Sequence, residues 1–177
     1  MAITDKIKKH AKSIYIDKLC EKETLILVSP PRSGSTWIQN LITSMGVCRI
    51  MFEPVHPNQV PCFAHWTDTK YIGRYESDEE NLALVRSVVS GSVRNTWIDQ
   101  DNRPFLFLPS NRFIKTIRAN LFIAWLKEHF PRVKVMLLTR HPFSTAKSQL
   151  QCGWPMEPRS LLAMIHVKNH KLTKQTP

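Results

Sequence analysis

The run Val28-Ser29-Pro30-Pro31-Arg32-Ser33-Gly34-Ser35-Thr36-Trp37 constrains this chain more than any other segment. The apolar stretch Leu25-Ile26-Leu27-Val28 leads into it and a helical pattern leads out of it. The order is strand, tight turn, helix N-terminus. Such a turn aims several backbone N–H groups and the positive end of a helix dipole at one spot, and Arg32, Ser33, Ser35 and Thr36 add a fixed cation and hydroxyl donors there. The residues describe a cradle for phosphate or sulfate. The nucleotide loop Gly-x-x-x-x-Gly-Lys-Ser/Thr is absent, because Gly34 is the only glycine of the run, and this weighs against a kinase. The alternative is an ordinary strand-to-helix turn with Ser33 or Ser35 as N-cap.

Beyond the turn, Trp37, Ile38, Leu41, Ile42 and Met45 recur at helical spacing and Gly46 supplies a stop, which predicts a helix of about three turns. From Met51 to Asn111 the pattern is irregular, punctuated by Pro54, Pro57, Pro61, Pro104 and Pro109, with one helix expected around Glu79 to Ser90. This region reads as an insertion over the site, where binding residues concentrate. Phe113 to Ile117 reads as a strand, Leu121 to Phe130 as a helix ended by Pro131, and Phe143 to Leu150 as a further helix. Between them Val133 to Leu138 is a near-continuous apolar run of the buried parallel-strand type. The alternation argues an α/β fold, a parallel sheet flanked by helices in a three-layer, P-loop-like architecture. Ligands of such sheets bind beyond the carboxyl ends of the strands, where Arg32 and Arg140 both fall.

Length and charge narrow the function classes. At 177 residues the chain supports one domain with a real core, and 25 Lys and Arg against 14 Asp and Glu give a formal charge of +11. The field attracts anions, whether nucleic acid, anionic polysaccharide or a polyanionic nucleotide donor. Cys20, Cys48, Cys62 and Cys152 form no Cys-x-x-Cys pair and no zinc-type spacing, so they read as buried or free thiols and no metal site is expected. Residues 1–23 read as a basic helical extension whose Lys6, Lys8, Lys9 and Lys12 mark a solvated face, the alternative being contact with a membrane surface or nucleic acid. The extension lacks the apolar run of a signal peptide or a membrane span. A cytoplasmic protein is expected, with no membrane association indicated.

Pro31 to Thr36 resembles the 5'-phosphosulfate loop of sulfotransferases that use 3'-phosphoadenosine-5'-phosphosulfate (PAPS). A second stretch, Val135 to Ser148, resembles the same family's 3'-phosphate element: an apolar strand, Arg140, the step His141-Pro142, then a helix with Ser148 eight residues after the arginine. Arg offers a planar fork to phosphate and a serine two helical turns on adds a hydroxyl from the same side. A surface ion pair at Arg140 is the alternative. Lys115-Thr116-Ile117-Arg118 and Phe52-Glu53-Pro54 look like stretches of the carbohydrate-directed branch, so the resemblance covers Thr24 to Gln149.

The resemblance implies transfer of a sulfuryl group from PAPS to a hydroxyl or amine acceptor, a carbohydrate first. Partners would be PAPS and a glycan, without nucleic acid and without metal. By the same resemblance Arg32 holds the 5'-phosphate and the bridging oxygen, while Ser33, Gly34, Ser35 and Thr36 donate around the phosphosulfate. Arg140 and Ser148 hold the 3'-phosphate. Trp37 either stacks on the adenine or fills the core. Glu53 takes the acceptor proton, with His65 and His56 next in line and an uninvolved Glu53 as the alternative. The family's domain continues through further helices to a basic, glycine-containing loop, whereas Gly153 is the last glycine here, so the domain spanning residues 24–177 reads as incomplete at its C-terminus. Two rivals come from other classes. A P-loop phosphotransferase would need a loop lysine and an acidic Mg²⁺ ligand at a strand end. A non-catalytic polyanion- or nucleic-acid-binding module would interleave basic residues with stacking aromatics on one surface, which this chain does not concentrate anywhere.

Overall fold

The computed structural model describes residues 10–104 and 107–153, and the chain divides into two compact units, residues 1–139 and residues 140–177. The expectations for residues 1–9 and for the tail from Trp154 onward lie outside the described residues.

The first unit is built on a four-stranded, wholly parallel sheet: β1 (Thr24–Val28), β2 (Cys48–Phe52), β3 (Asn111–Thr116) and β4 (Lys134–Leu137), in the spatial order β2-β3-β1-β4. Helices α1 (Ser35–Ser44), α2 (Glu79–Val89) and α3 (Ile123–His129) connect the strands. Register and the period-2 alternation of strand side chains sort the two sheet faces. Ile26, Ile114 and Met51 lie side by side and belong to a core that also takes Val85, Val88 and Val89 of α2 with Trp125 and Leu126 of α3. The opposite face carries Leu27, Lys115 and Phe52 in register, and there Lys115 reaches Thr36 of α1. Helix, sheet and helix pair stack as the α/β reading requires. The second unit contains α4 (Pro142–Gln151), which starts with proline at a position that needs no N–H.

Three expectations change. β2 was not expected, and its last residues, Met51 and Phe52, open the stretch read as irregular, because Arg49 interrupts its apolar run. That arginine is fully buried, bonding Asp17 at 2.6 Å and the Gly91 carbonyl at 2.6 Å. Arg112 of β3 is equally buried and donates to the same Asp17, to Thr24 and to the carbonyls of Val89 and Ser90. Gly91 (φ +73) is obligatory beside them, since a Cβ there would meet Arg112 Nε at 2.6 Å. Secondly, β4 pairs in parallel with β1 as expected but is not buried: among the described residues it lies at the sheet edge, with Met136 and Leu137 exposed. Thirdly, α1 turns its polar side inward. It buries Ser35, Gln39 and Thr43 and exposes Trp37, Leu41 and Met45, so Trp37, 68% exposed, is not a core residue. Gln39 explains the orientation, as its Nε2 donates to Asp101 Oδ2 at 2.7 Å while Thr43 closes back on the Gln39 carbonyl.

Candidate active site

β1 delivers the chain into the turn with Ser29, whose N–H donates to the Thr116 carbonyl at the end of β3. Arg32 adopts φ +66 and Gly34 φ +91, and Gly34 is the N-cap of α1. Two departures from ordinary backbone on either side of Ser33 turn the chain tightly into α1, in a conformation that side chains disfavour. No side chain caps α1. Trp37 N and Ile38 N both donate to the Gly34 carbonyl, and a helix start that no side chain caps is suited to an external anion. Ser33 is buried and uses its hydroxyl to brace the loop, donating to the Pro30 carbonyl at 2.6 Å. Arg32 and Thr36 are exposed at its rim.

Lys115 enters from β3. Its ammonium donates to Thr36 Oγ1 at 3.2 Å and lies 4.4 Å above the Phe52 ring, and the residue is only 5% exposed. Burial depresses its pKa, while the Glu53 and Asp101 carboxylates push the other way. Glu53 follows β2 directly, is 3% exposed and adopts φ +44 ahead of Pro54, where extended backbone is preferred. A non-glycine residue held this way is stored strain of the kind found at working sites. Its N–H donates to the Lys115 carbonyl, and its Oε2 accepts from Ile117 N at 3.1 Å and Arg118 Nη1 at 3.3 Å. Burial raises the Glu53 pKa, and the Ile117 N–H, Arg118 and Lys115 restrain that rise.

The loop and Glu53, far apart in sequence, thus meet through Lys115. A buried cation and a buried carboxylate with an elevated pKa, next to an anion-shaped turn, can polarise a transferring group and accept a proton. His56, one turn after Glu53, accepts from Asn58 N at 3.2 Å and packs edge-on against Trp97. Burial and Arg118 lower its pKa, against Asp68. His65 faces Glu80 at 3.6 Å on the surface. Beside Thr36 an open cleft of about 490 Å³ runs along the inward face of α1, lined by Gln39, Asn40, Asp101 and Arg103 among others.

In the second unit Arg140 and Ser148 line one open cleft of about 360 Å³ together with Ser144, Lys147 and Gln151. The spacing places these residues on one side of α4. Sequence reasoning had singled out Arg140 and Ser148 and passed over Ser144 and Lys147. It assigns no role to Lys115 and Arg118, although a lysine inside a strand directly after Phe113 and Ile114 was the available signal. Among the described residues no group of His, Cys, Asp or Glu could hold a metal ion, and no helix is long and apolar enough to cross a membrane.

A family model described as "Sulfotransferase family" matches residues 25–169, more than half of the chain. No curated protein and no solved structure matches.

Proposed function

The chain belongs to the sulfotransferase family, and from that premise we propose that it transfers a sulfuryl group from PAPS to a hydroxyl or amine acceptor, most simply of a carbohydrate. The observation that carries the proposal is the contact of Lys115 Nζ with Thr36 Oγ1, which joins the anion loop to the strand end where Glu53 is buried. The uncapped, glycine-turned start of α1 suits an anionic donor group, and the residues around it suit a phosphosulfate: Arg32 for the 5'-phosphate and bridging oxygen, Ser33, Gly34, Ser35 and Thr36 around the sulfuryl oxygens. Trp37, exposed at the first turn of α1, is available to stack on a base. Arg140 and Ser148, with Lys147 beside them, supply a cation-lined cleft for a 3'-phosphate.

Transfer asks for an acceptor oxygen in line with the leaving phosphate, charge stabilisation on the moving group and removal of the acceptor proton. Lys115 provides the charge from a shielded position, where a cation acts more strongly than in water. Glu53 takes the proton, because burial raises its pKa toward the working range while its hydrogen bonds preserve the ionised form. The polar cleft along α1 receives the acceptor. Amide and hydroxyl groups of Gln39, Asn40, Thr43 and Ser44 suit a polyhydroxyl ligand, and Asp101 and Arg103 add charge for orientation.

Calorimetric titration of the full chain with adenosine 3',5'-bisphosphate, without metal, is the test. Binding in preference to ATP is expected. Equal affinity for ATP, or a strict need for Mg²⁺, would refute PAPS as donor.

A further inference from the structure

We infer that Arg118, anchored by the surface carboxylate of Asp68, is the positioning residue of Glu53, so that an exposed turn governs the protonation and aim of a buried carboxylate. The inference rests on the proposed role of Glu53 as base. Arg118 has two carboxylate partners at different edges of one planar guanidinium: Nε donates to Asp68 Oδ1 at 2.6 Å and Nη1 to Glu53 Oε2 at 3.3 Å. The planar fork cannot serve both unless its orientation is set, and the shorter bond to Asp68 sets it. The backbone helps, because Arg118 N donates to Thr116 Oγ1 and the neighbouring Ile117 N donates to Glu53.

The two acids differ in exposure. The Asp68 side chain is 67% exposed in the turn Thr67–Lys70, whereas Glu53 is buried and the Arg118 side chain is largely covered. The solvated acid therefore acts as a peg and the buried acid as the load. Both hydrogen bonds to the Glu53 carboxylate fall on Oε2, which leaves Oε1 to receive the acceptor proton. The charged and titratable groups around Glu53 are Lys115 on β3, Arg118 after β3 and His56 on its own turn, with Asp68 beyond Arg118. Of these Arg118 alone reaches both acids.

The arrangement makes a prediction of opposite sign to simple electrostatics. Neutralising Asp68 removes a negative charge from the neighbourhood, which by itself makes the Glu53 proton easier to lose. Releasing Arg118 removes the nearest cation, which makes it harder to lose, and an opposite charge at this range commonly holds a carboxyl about 1–3 pH units down. The test is a carbon-13 NMR titration of the Glu53 side-chain carboxyl in the full chain, its signal identified by its absence in Glu53→Gln. Arg118→Gln should raise the midpoint by about one unit or more. Asp68→Asn should raise it by less, and Arg118→Lys should restore part of the shift.

An unchanged midpoint in Arg118→Gln, or a lowered one in Asp68→Asn, would overturn the inference. Should Arg118→Gln fail to fold, Asp68→Asn decides the matter, since it alters only a solvated side chain. Failure of the underlying reading is separately visible. Wild-type turnover in Glu53→Gln would remove Glu53 as base and leave the titration result standing.

Discussion

Lys115→Met separates chemistry from stability at a single atom. Methionine keeps an unbranched apolar stem of similar reach and deletes the ammonium that donates to Thr36 Oγ1. A hydrogen bond from a charged donor is worth about 1.5–3 kcal/mol, roughly 10- to 150-fold in an equilibrium or rate. Loss of a preorganised donor to a developing transition-state charge costs about 10²–10³ in kcat. The lysine is nearly fully buried, and its depressed pKa shows that the site already disfavours the charged form. Removing the charge should therefore leave Tm equal or raise it, while transfer falls by about 10² or more. Radiolabelled sulfate transfer from PAPS to an oligosaccharide, thermal denaturation and calorimetry with adenosine 3',5'-bisphosphate read the three quantities. Turnover near that of the parent, or a turnover loss accompanied by a matching loss of stability, would refute the assignment of Lys115 to the chemistry.

Glu53→Gln should lower turnover by about 10² while donor affinity stays close to that of the parent, as titration with the bisphosphate would report. Because burial raises the Glu53 pKa above its ordinary value, kcat/KM should fall on the acid side with a midpoint above about 4.5. An acid limb at or below that point would contradict an elevated base. Arg140→Ala should weaken the bisphosphate by about tenfold and adenosine 5'-phosphate little, whereas equal losses would mean that Arg140 does not face a 3'-phosphate. Asp17→Ala should cost about 3–5 kcal/mol in urea denaturation, because buried Arg112 loses its carboxylate partner and buried Arg49 the nearer of its two. The Asp17 carboxyl carries the penalty of burial, outweighed by hydrogen bonds from Arg112 and Arg49, and its pKa is lowered. Its contribution is therefore present above the ordinary Asp value and is lost as pH falls through the lowered one. A stability profile flat through that acid range would show that Asp17 is not the keystone.

The anion loop was legible because its chemistry is local: a strand end, a left-handed glycine and a helix start need no partner from elsewhere in the chain. β1, β3 and the helices were legible for the same reason, through periodicity and proline stops. β2 was hidden because its Arg49 is paid in charge by Asp17, more than thirty positions earlier, and no pattern within the strand announces a distant carboxylate. The inward face of α1 was misread in kind, since helical spacing of Trp37, Leu41 and Met45 identifies a stripe and not the side it faces. Gln39 settled that through Asp101 across sixty-two positions. Lys115 and Arg118 gained meaning only when parallel pairing put β3 between β1 and β2. Their roles are properties of the sheet order.

The salt link of Asp17 with Arg112 spans ninety-five residues and so sets a timetable for synthesis. At the usual pace of elongation the chain must grow for roughly 5 to 20 s after Asp17 is made before its second arginine exists. Through that interval the segment preceding β1 has no place to dock, and β1 itself awaits the strands on either side, since β3 and β4 are both made later. The fold is therefore closed from its far end: the segment around Asp17, made before all four strands, is among the last to be secured. A ribosome-bound chain stalled before Arg112 emerges should be cut by protease around residues 10–20, and one released at full length should resist. Early protection would mean that the segment finds another home before its arginine arrives.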